Sequence, residues 1–282
     1  MHAEDAVAHA TQDFVEADLN YLAYDGRRPV NYAYPPPPGI PQSNATFVPH
    51  QIRIENGRDQ TERPSLHRQG FELRQHASAV QDFSDEAVIR DAYYAEVEQL
   101  LKHATGAEKV VIFDHTLRLD TPGHGTVGIR EPVRRVHNDQ TFVSAPRRVR
   151  DHLPAEEAEL RLKHRFAIVN VWRPIGAPVA TAPLAVCDAR SISREDLVPS
   201  DLVYRDKVGE TYAFRHNPNH RWFYFPEVRP DEVVLLKIYD SLVTGAARLT
   251  AHTAFDHPNT LPSAVPRRSI EVRTLVFWPT TR

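Results

Sequence analysis

The chain has a single cysteine, Cys187, among 282 residues, so no disulfide can close within it and no thiolate metal cluster can assemble. That usage agrees with a reducing compartment. An excess of one charge is missing too: 34 basic against 37 acidic side chains leave a formal net charge of −3. This favours neither nucleic acid nor an anionic membrane as a partner. No run of about 18 apolar residues occurs, so no transmembrane helix is expected. The opening MHAEDAVAHATQDF is polar and acidic, without the apolar centre of a secretory signal, which makes the cytoplasm the expected location. Glycine is sparse, at 11, whereas proline reaches 23 and is spread along the chain, as expected where strands repeatedly give way to loops.

What is present is a change of texture along the chain. Residues 1–80 read as an irregular, proline-rich N-terminal arm, with YAYPPPPGIPQ (32–42) as a polyproline-like segment whose tyrosines suggest packing on a body formed by 81–282. Residues 84–105 read as a helix. Ser84 is the expected N-cap, Ala87, Ile89, Tyr93, Val97 and Leu100–Leu101 the apolar face, and Gly106 the stop. From residue 110 onward the pattern is strand-like: 110–119, 133–142, 165–175, 183–189, 211–216, 221–226, 232–240, 248–255 and 268–278. NPNH is expected to join the fifth and sixth of these as a hairpin, and 155–165 reads as a helix. Many strands with few helices predict a β-barrel or sandwich with helices outside.

The segment VRRVHNDQTF (133–142) sets His137 and Asp139 two apart, so that on a strand both face one side. Taken alone this is weak, since 15 histidines yield about one accidental His-x-Asp. Its company strengthens it. A non-haem iron(II) site needs two imidazoles and one carboxylate on one face, with open positions opposite. His252, in the β-patterned RLTAHTAF, supplies a distant third ligand. A 2-oxo acid cosubstrate needs its far carboxylate held, and an arginine fork with a nearby hydroxyl suits it. Arg267 and Ser269 follow on the next strand, 15 and 17 residues beyond His252.

In order and spacing, VHNDQ, NVWRPI, APLAVCDARS, HRWFYFPEVRPDEVVLLKIYDS, AHTAFDHP and PRRSIEVR resemble a fungal and bacterial family of secondary-metabolite hydroxylase/desaturases within the Fe(II)/2-oxoglutarate-dependent oxygenases. The family includes a gibberellin desaturase, an aspergillic acid hydroxylase and a cephamycin methoxylase-related protein. The resemblance covers roughly residues 110–279. It implies a mainly β, double-stranded β-helix (jelly-roll, cupin-like) core with flanking helices, Fe(II) and O2, and 2-oxoglutarate converted to succinate and CO2. It also implies His137, Asp139 and His252 as metal ligands and Arg267 and Ser269 as the cosubstrate clamp. Where the family usually carries Glu, this chain has Arg268, so Arg268 and Arg273 stay open as alternatives to Arg267, with Arg273 the second choice on strand parity.

Among other residues, Asn170 is a candidate for hydrogen-bonding the cosubstrate, whereas Trp172 reads first as core. Trp172, Tyr212, Trp222 and Tyr224 are candidate substrate walls, although aromatic strands usually mean packing. Arg118 could meet an acidic substrate or sit on a solvated rim. Asp114 and His115 are adjacent and face opposite ways. A small-molecule substrate is expected. Two rival readings are an inactive accessory subunit for a partner enzyme such as a methyltransferase, and a zinc or manganese hydrolase or isomerase. Assembly stays open between a homo-oligomer and a complex with a partner enzyme.

Overall fold

In the computed structural model, which describes residues 13–121 and 129–279, the chain folds into two curled sheets with a helical rod on the outer face of one of them. The six-stranded sheet runs β4 (Phe71–Gln75), β13 (Glu232–Asp240), β8 (Phe166–Pro174), β15 (Arg268–Phe277), β5 (Lys109–Leu119), β6 (Ile129–Arg130). The nine-stranded sheet runs β1 (Phe14–Leu22), β3 (Phe47–Asn56), β12 (Trp222–Tyr224), β9 (Leu184–Cys187), β14 (His252–Ala254), β7 (His137–Asn138), β11 (Val208–Phe214), β10 (Leu197–Val203), β2 (Val30–Tyr32). The chain crosses between sheets from β7 to β8 to β9, and again from β12 to β13 to β14 to β15. This is the double-stranded β-helix.

The central strands explain themselves. β8 and β13 are buried at every position, so FAIVNVWRP and EVVLLKIYD read as continuous apolar runs rather than alternating ones. Their two faces have different partners. Val169, Val171, Val233, Leu235, Ile270 and Val272 pack with Tyr93, Val97 and Leu101 of the helical layer. Ile168, Trp172, Val234, Leu236 and Ile238 point the other way and meet Val186 and Phe223 of the opposing sheet. Asn170, between Ile168 and Trp172 in this alternation, therefore points inward.

The helical layer is α1 (Glu86–Val88), a π-turn (Ile89–Tyr93) and α2 (Tyr94–Thr105) in one rod. Its cap is Asp85, which accepts hydrogen bonds from the Ala87 and Val88 amides; Ser84 is instead tied to Asp82. Ala87 is exposed, so the apolar face begins at Ile89. Gly106 closes the rod at φ 70°, a left-handed conformation suited to glycine.

Four further sequence expectations are corrected. Residues 14–75 are not irregular: β1 to β3 join one sheet and β4 the other. The stretch 133–142 is strand only at His137–Asn138, and it leads into α3 (Ser144–His152), which the sequence reading missed. The segments 211–216 and 221–226 do not form a hairpin, since β11 pairs with β10 and β7 while β12 pairs with β3 and β9. The expected helix at 155–165 ends early, as α4 (Ala155–Arg161).

Candidate active site

His137 lies on β7, Asp139 in the turn just after it, and His252 opens β14 directly opposite His137 in register. One ligand atom from each of the three lies within 4.8 Å of the others. The imidazole rings are 4.3 Å apart between centroids, and His137 Nε2 stands 3.5 Å from Asp139 Oδ1. The Arg135 carbonyl, 2.8 Å from His137 Nδ1, fixes the orientation of that ring.

The carboxylate of Asp139 is held from behind. Its Oδ2 accepts one hydrogen bond from Arg273 Nε and one from Asn170 Nδ2, both 2.9 Å, leaving Oδ1 turned to the histidines. Asn170 Nδ2 also donates to Glu271 Oε1 at 2.9 Å. Glu271 in turn accepts from Arg273 Nη2 at 3.1 Å. Burial pushes the Asp139 carboxyl up, but Arg273 and the two imidazoles outweigh it and hold the group well below the usual carboxylate range. Burial pushes His137 down to about 3, with the nearby His252 acting in the same direction. The three groups thus offer two imidazoles and one carboxylate, a donor set that suits a divalent cation.

These shifts set a pH dependence for the metal-free protein. His137, ordinarily near 6.5, stays neutral in the fold, so below that pH the unfolded chain binds a proton that the folded chain does not. Stability should therefore fall as pH drops from about 6.5, and below about 4 the depressed Asp139 adds to the loss. Urea midpoints at pH 7 and pH 5 check this, and His137→Gln should flatten the fall between them.

The next inward positions of β15 carry the second half of the site. Ser269 pairs with Pro174 on one side and Arg118 on the other, so their side chains share the inward face. Arg267 precedes the strand and continues its pairing through its carbonyl, which accepts from the Asp120 amide at 2.9 Å. Its guanidinium is buried, donates through Nη1 to the Ala182 carbonyl and lies 5.4 Å over the Trp172 ring. Burial, helped by the Arg118 charge, pushes it down to about 9. Arg267 Nε and Ser269 Oγ are both buried without a hydrogen-bond partner among the described residues, as are His252 Nδ1 and Asn170 Oδ1. Buried orphans of this kind are costly and rare. A cationic donor and a hydroxyl left free two residues apart on one face fit the carboxylate end of a 2-oxo acid.

The three arginines separate cleanly. Arg268 is exposed, and Arg273 is committed to Asp139, Glu271, Asp114 at 3.0 Å and Thr116 at 2.9 Å. Only Arg267 keeps a free buried donor. Arg118, which the sequence left between substrate contact and solvated rim, is half-buried and stands 3.8 Å from Glu271. Asp114 and His115 do diverge, Asp114 to Arg273 and His115 to Tyr94 at 2.8 Å.

The expected substrate walls are largely corrected by strand parity. His252 and Phe223 are each in register with Val186, whereas Trp222 and Tyr224 are in register with Cys187 and Ala185. Trp222 and Tyr224 thus lie on the far face of the sheet, in the cluster with Tyr21 and Ile54. Tyr212 belongs to the same cluster and pairs with Asn138, not with His137. Trp172 alone of the four faces inward, beneath Arg267. Glu271, which sequence reading missed, shares the parity of Ser269 and Arg273, and that was its available signal.

The chain is similar to several known proteins. The family model described as an oxidoreductase/YMDC permease-like domain matches residues 19–277. The Fe(II)/2-oxoglutarate-dependent dioxygenase nvfI of Aspergillus novofumigatus is 34% identical over 276 residues, covering 95% of this chain and 98% of the relative. The hydroxylase/desaturase efuI of Hormonema carpetanum is 35% identical over 237 residues, covering 76% and 79%. Among solved structures, the iron and alpha-ketoglutarate-dependent endoperoxidase NvfI superposes with a TM-score of 0.86 at 33% identity, covering 94% of this chain and 98% of that one. The chain belongs to this family of Fe(II)/2-oxoglutarate-dependent dioxygenases and hydroxylase/desaturases.

Proposed function

We propose that this chain oxidises an unactivated C–H bond of a small molecule, by hydroxylation or desaturation, with Fe(II), 2-oxoglutarate and O2. In this reading His137, Asp139 and His252 hold the iron. Arg267 and Ser269 grip the far carboxylate of 2-oxoglutarate, and Arg118 adds charge beside them. Arg273 and Asn170 keep Asp139 ionised and turned to the metal. The iron and its cosubstrate supply the oxidation, turning 2-oxoglutarate into succinate and CO2; the protein supplies placement and a dry, charged pocket. The observation that carries the reading is the pair of orphaned buried donors, Arg267 Nε and Ser269 Oγ, on the same inward face as the carboxylate support of the triad.

Relatives bear names as different as hydroxylase/desaturase and endoperoxidase, so the outcome depends on where the substrate is held. That placement is decided within about half an ångström. Buried, unpaired Cys187 and the absence, among the described residues, of any helix long and apolar enough to cross a membrane favour the cytoplasm as the compartment.

The test is anaerobic titration with Fe(II) and then 2-oxoglutarate, following the weak visible charge-transfer band of the chelated cosubstrate. A band requiring both additions is expected. Iron-free protein that binds neither would replace this reading with an accessory subunit that serves a partner enzyme.

A further inference from the structure

A cleft of about 830 Å³ contains none of the triad. Its position is nevertheless not remote. Asp139 is followed by Phe142, and His252 is preceded by Leu249, and both Phe142 and Leu249 line the cleft. Three residues span at most about 11 Å between Cα atoms, so the cleft begins within that distance of two of the three metal-binding candidates. The segments that form it leave one end of the barrel together: the turn after β7, the loop after β9 and the loop before β14. Leu249 belongs to the cluster behind the nine-stranded sheet and Ile192 and Leu197 pack against it, whereas Phe142 packs against that cluster and against the core between the sheets, so the cleft meets the barrel interior through Phe142.

The walls are built rather than incidental. The Ala247 amide donates to the His67 carbonyl at 2.7 Å and the Ala189 amide to the Gln69 carbonyl at 2.9 Å, which fastens three separate loops. Gly70, at φ +89°, lies against Thr250, Ala189 and Ala247, with a hypothetical Cβ only 3.3–3.5 Å from their β-carbons. A side chain there would have to pry the wall open.

The lining has two chemistries. Phe142, Ile192, Leu197 and Leu249 make it apolar, while its charged residues are all basic and none is acidic. Arg68 and Arg190 are already paired, with Glu62 and Asp188. Arg194 and Arg248 have no carboxylate partner among the described residues. Arg248 is held by the Asp240 carbonyl at 3.1 Å and lies 4.1 Å over the Phe142 ring, so its charge is aimed across the apolar floor.

We propose that this cleft is the substrate site and that the substrate is an organic acid: an apolar skeleton on Phe142, Ile192, Leu197 and Leu249, with an anionic oxygen group on Arg194 and Arg248. The volume suits a drug-sized molecule. The inference rests on the oxygenase reading for its distance to the metal, but the binding it specifies is readable without metal.

The probe is decanoate carrying a terminal trifluoromethyl group, compared with its methyl ester, with binding followed by fluorine NMR. The metal-free protein should bind the acid at least about tenfold more tightly than the ester. The double variant R194Q/R248Q should lose that preference while its ester binding, its circular dichroism and its 2-oxoglutarate affinity stay unchanged. With 2-oxoglutarate present, Co(II)-loaded protein should broaden the fluorine resonance relative to Zn(II)-loaded protein. Equal binding of acid and ester, or an acid preference that survives the double variant, overturns the substrate class. Co(II) that binds without broadening the resonance overturns the placement beside the metal. Co(II) that does not bind at all sinks the oxygenase reading, and the acid–ester comparison in metal-free protein still decides the cleft.

Discussion

Arg267→Ala is expected to leave Fe(II) binding intact and weaken 2-oxoglutarate by roughly 2–4 kcal/mol, about 30- to 1,000-fold. The magnitude follows from what is removed, a buried guanidinium with a free Nε, two residues before a free Ser269 Oγ. A carboxylate arriving there gains charge-assisted hydrogen bonds in a dry setting, and it relieves an arginine already pushed down to about 9. Arg273→Ala should behave differently. Its guanidinium serves Asp139, Glu271 and Asp114, so its loss leaves two buried carboxylates without their main cation. The expected result is impaired metal binding and reduced stability, with 2-oxoglutarate affected only through the metal. Titration of each variant with 2-oxoglutarate, with metal already bound, separates the two arginines. Unchanged affinity in Arg267→Ala would remove it from the clamp.

Why the sequence showed some of this and not the rest comes down to which interactions are periodic. β8, β13 and β15 were legible because burial on both faces forces long apolar runs, and the inward polar residues interrupt those runs at fixed parity. His137, Asp139, His252, Arg267 and Ser269 are candidates on side-chain chemistry, and the barrel brings the first three of them together. β1 was missed although Val15, Ala17, Leu19 and Tyr21 alternate with exposed residues, a signal overshadowed by the prolines that follow. α3 carries only Ala145 and Val149 as buried apolar side chains among basic ones, so its helical stripe is thin. Trp222 and Tyr224 were misplaced for a physical reason. A strand buried on both faces gives no hint which face is the inside of the barrel. The ties of Arg273 and Asn170 to Asp139 join residues more than 30 positions apart, and no local pattern encodes them.

His252→Ala should abolish Fe(II) binding, with at least a 100-fold loss of affinity, and yet leave the metal-free fold as stable as before or more so. The first half follows from coordination, since two remaining donors on one face hold a ferrous ion poorly. The second half follows from the orphan. His252 is only 4% exposed and its Nδ1 has no hydrogen-bond partner among the described residues, so the fold carries an unsatisfied buried nitrogen that alanine removes. The imidazole does not hold the sheets together: the β14 backbone pairs with β9 and β7, whatever side chain stands there. Against this works the small cavity left beside His137, which sets the upper limit on any gain. Urea denaturation of metal-free protein, paired with Fe(II) or Co(II) titration, reads both quantities on one sample. A variant that loses metal and stability together would mean that the imbalance at His252 is not what the site stores. A variant that loses metal while matching or exceeding the parent in urea would mark position 252 as one where stability has been given up for a ligand, the trade expected of an active site.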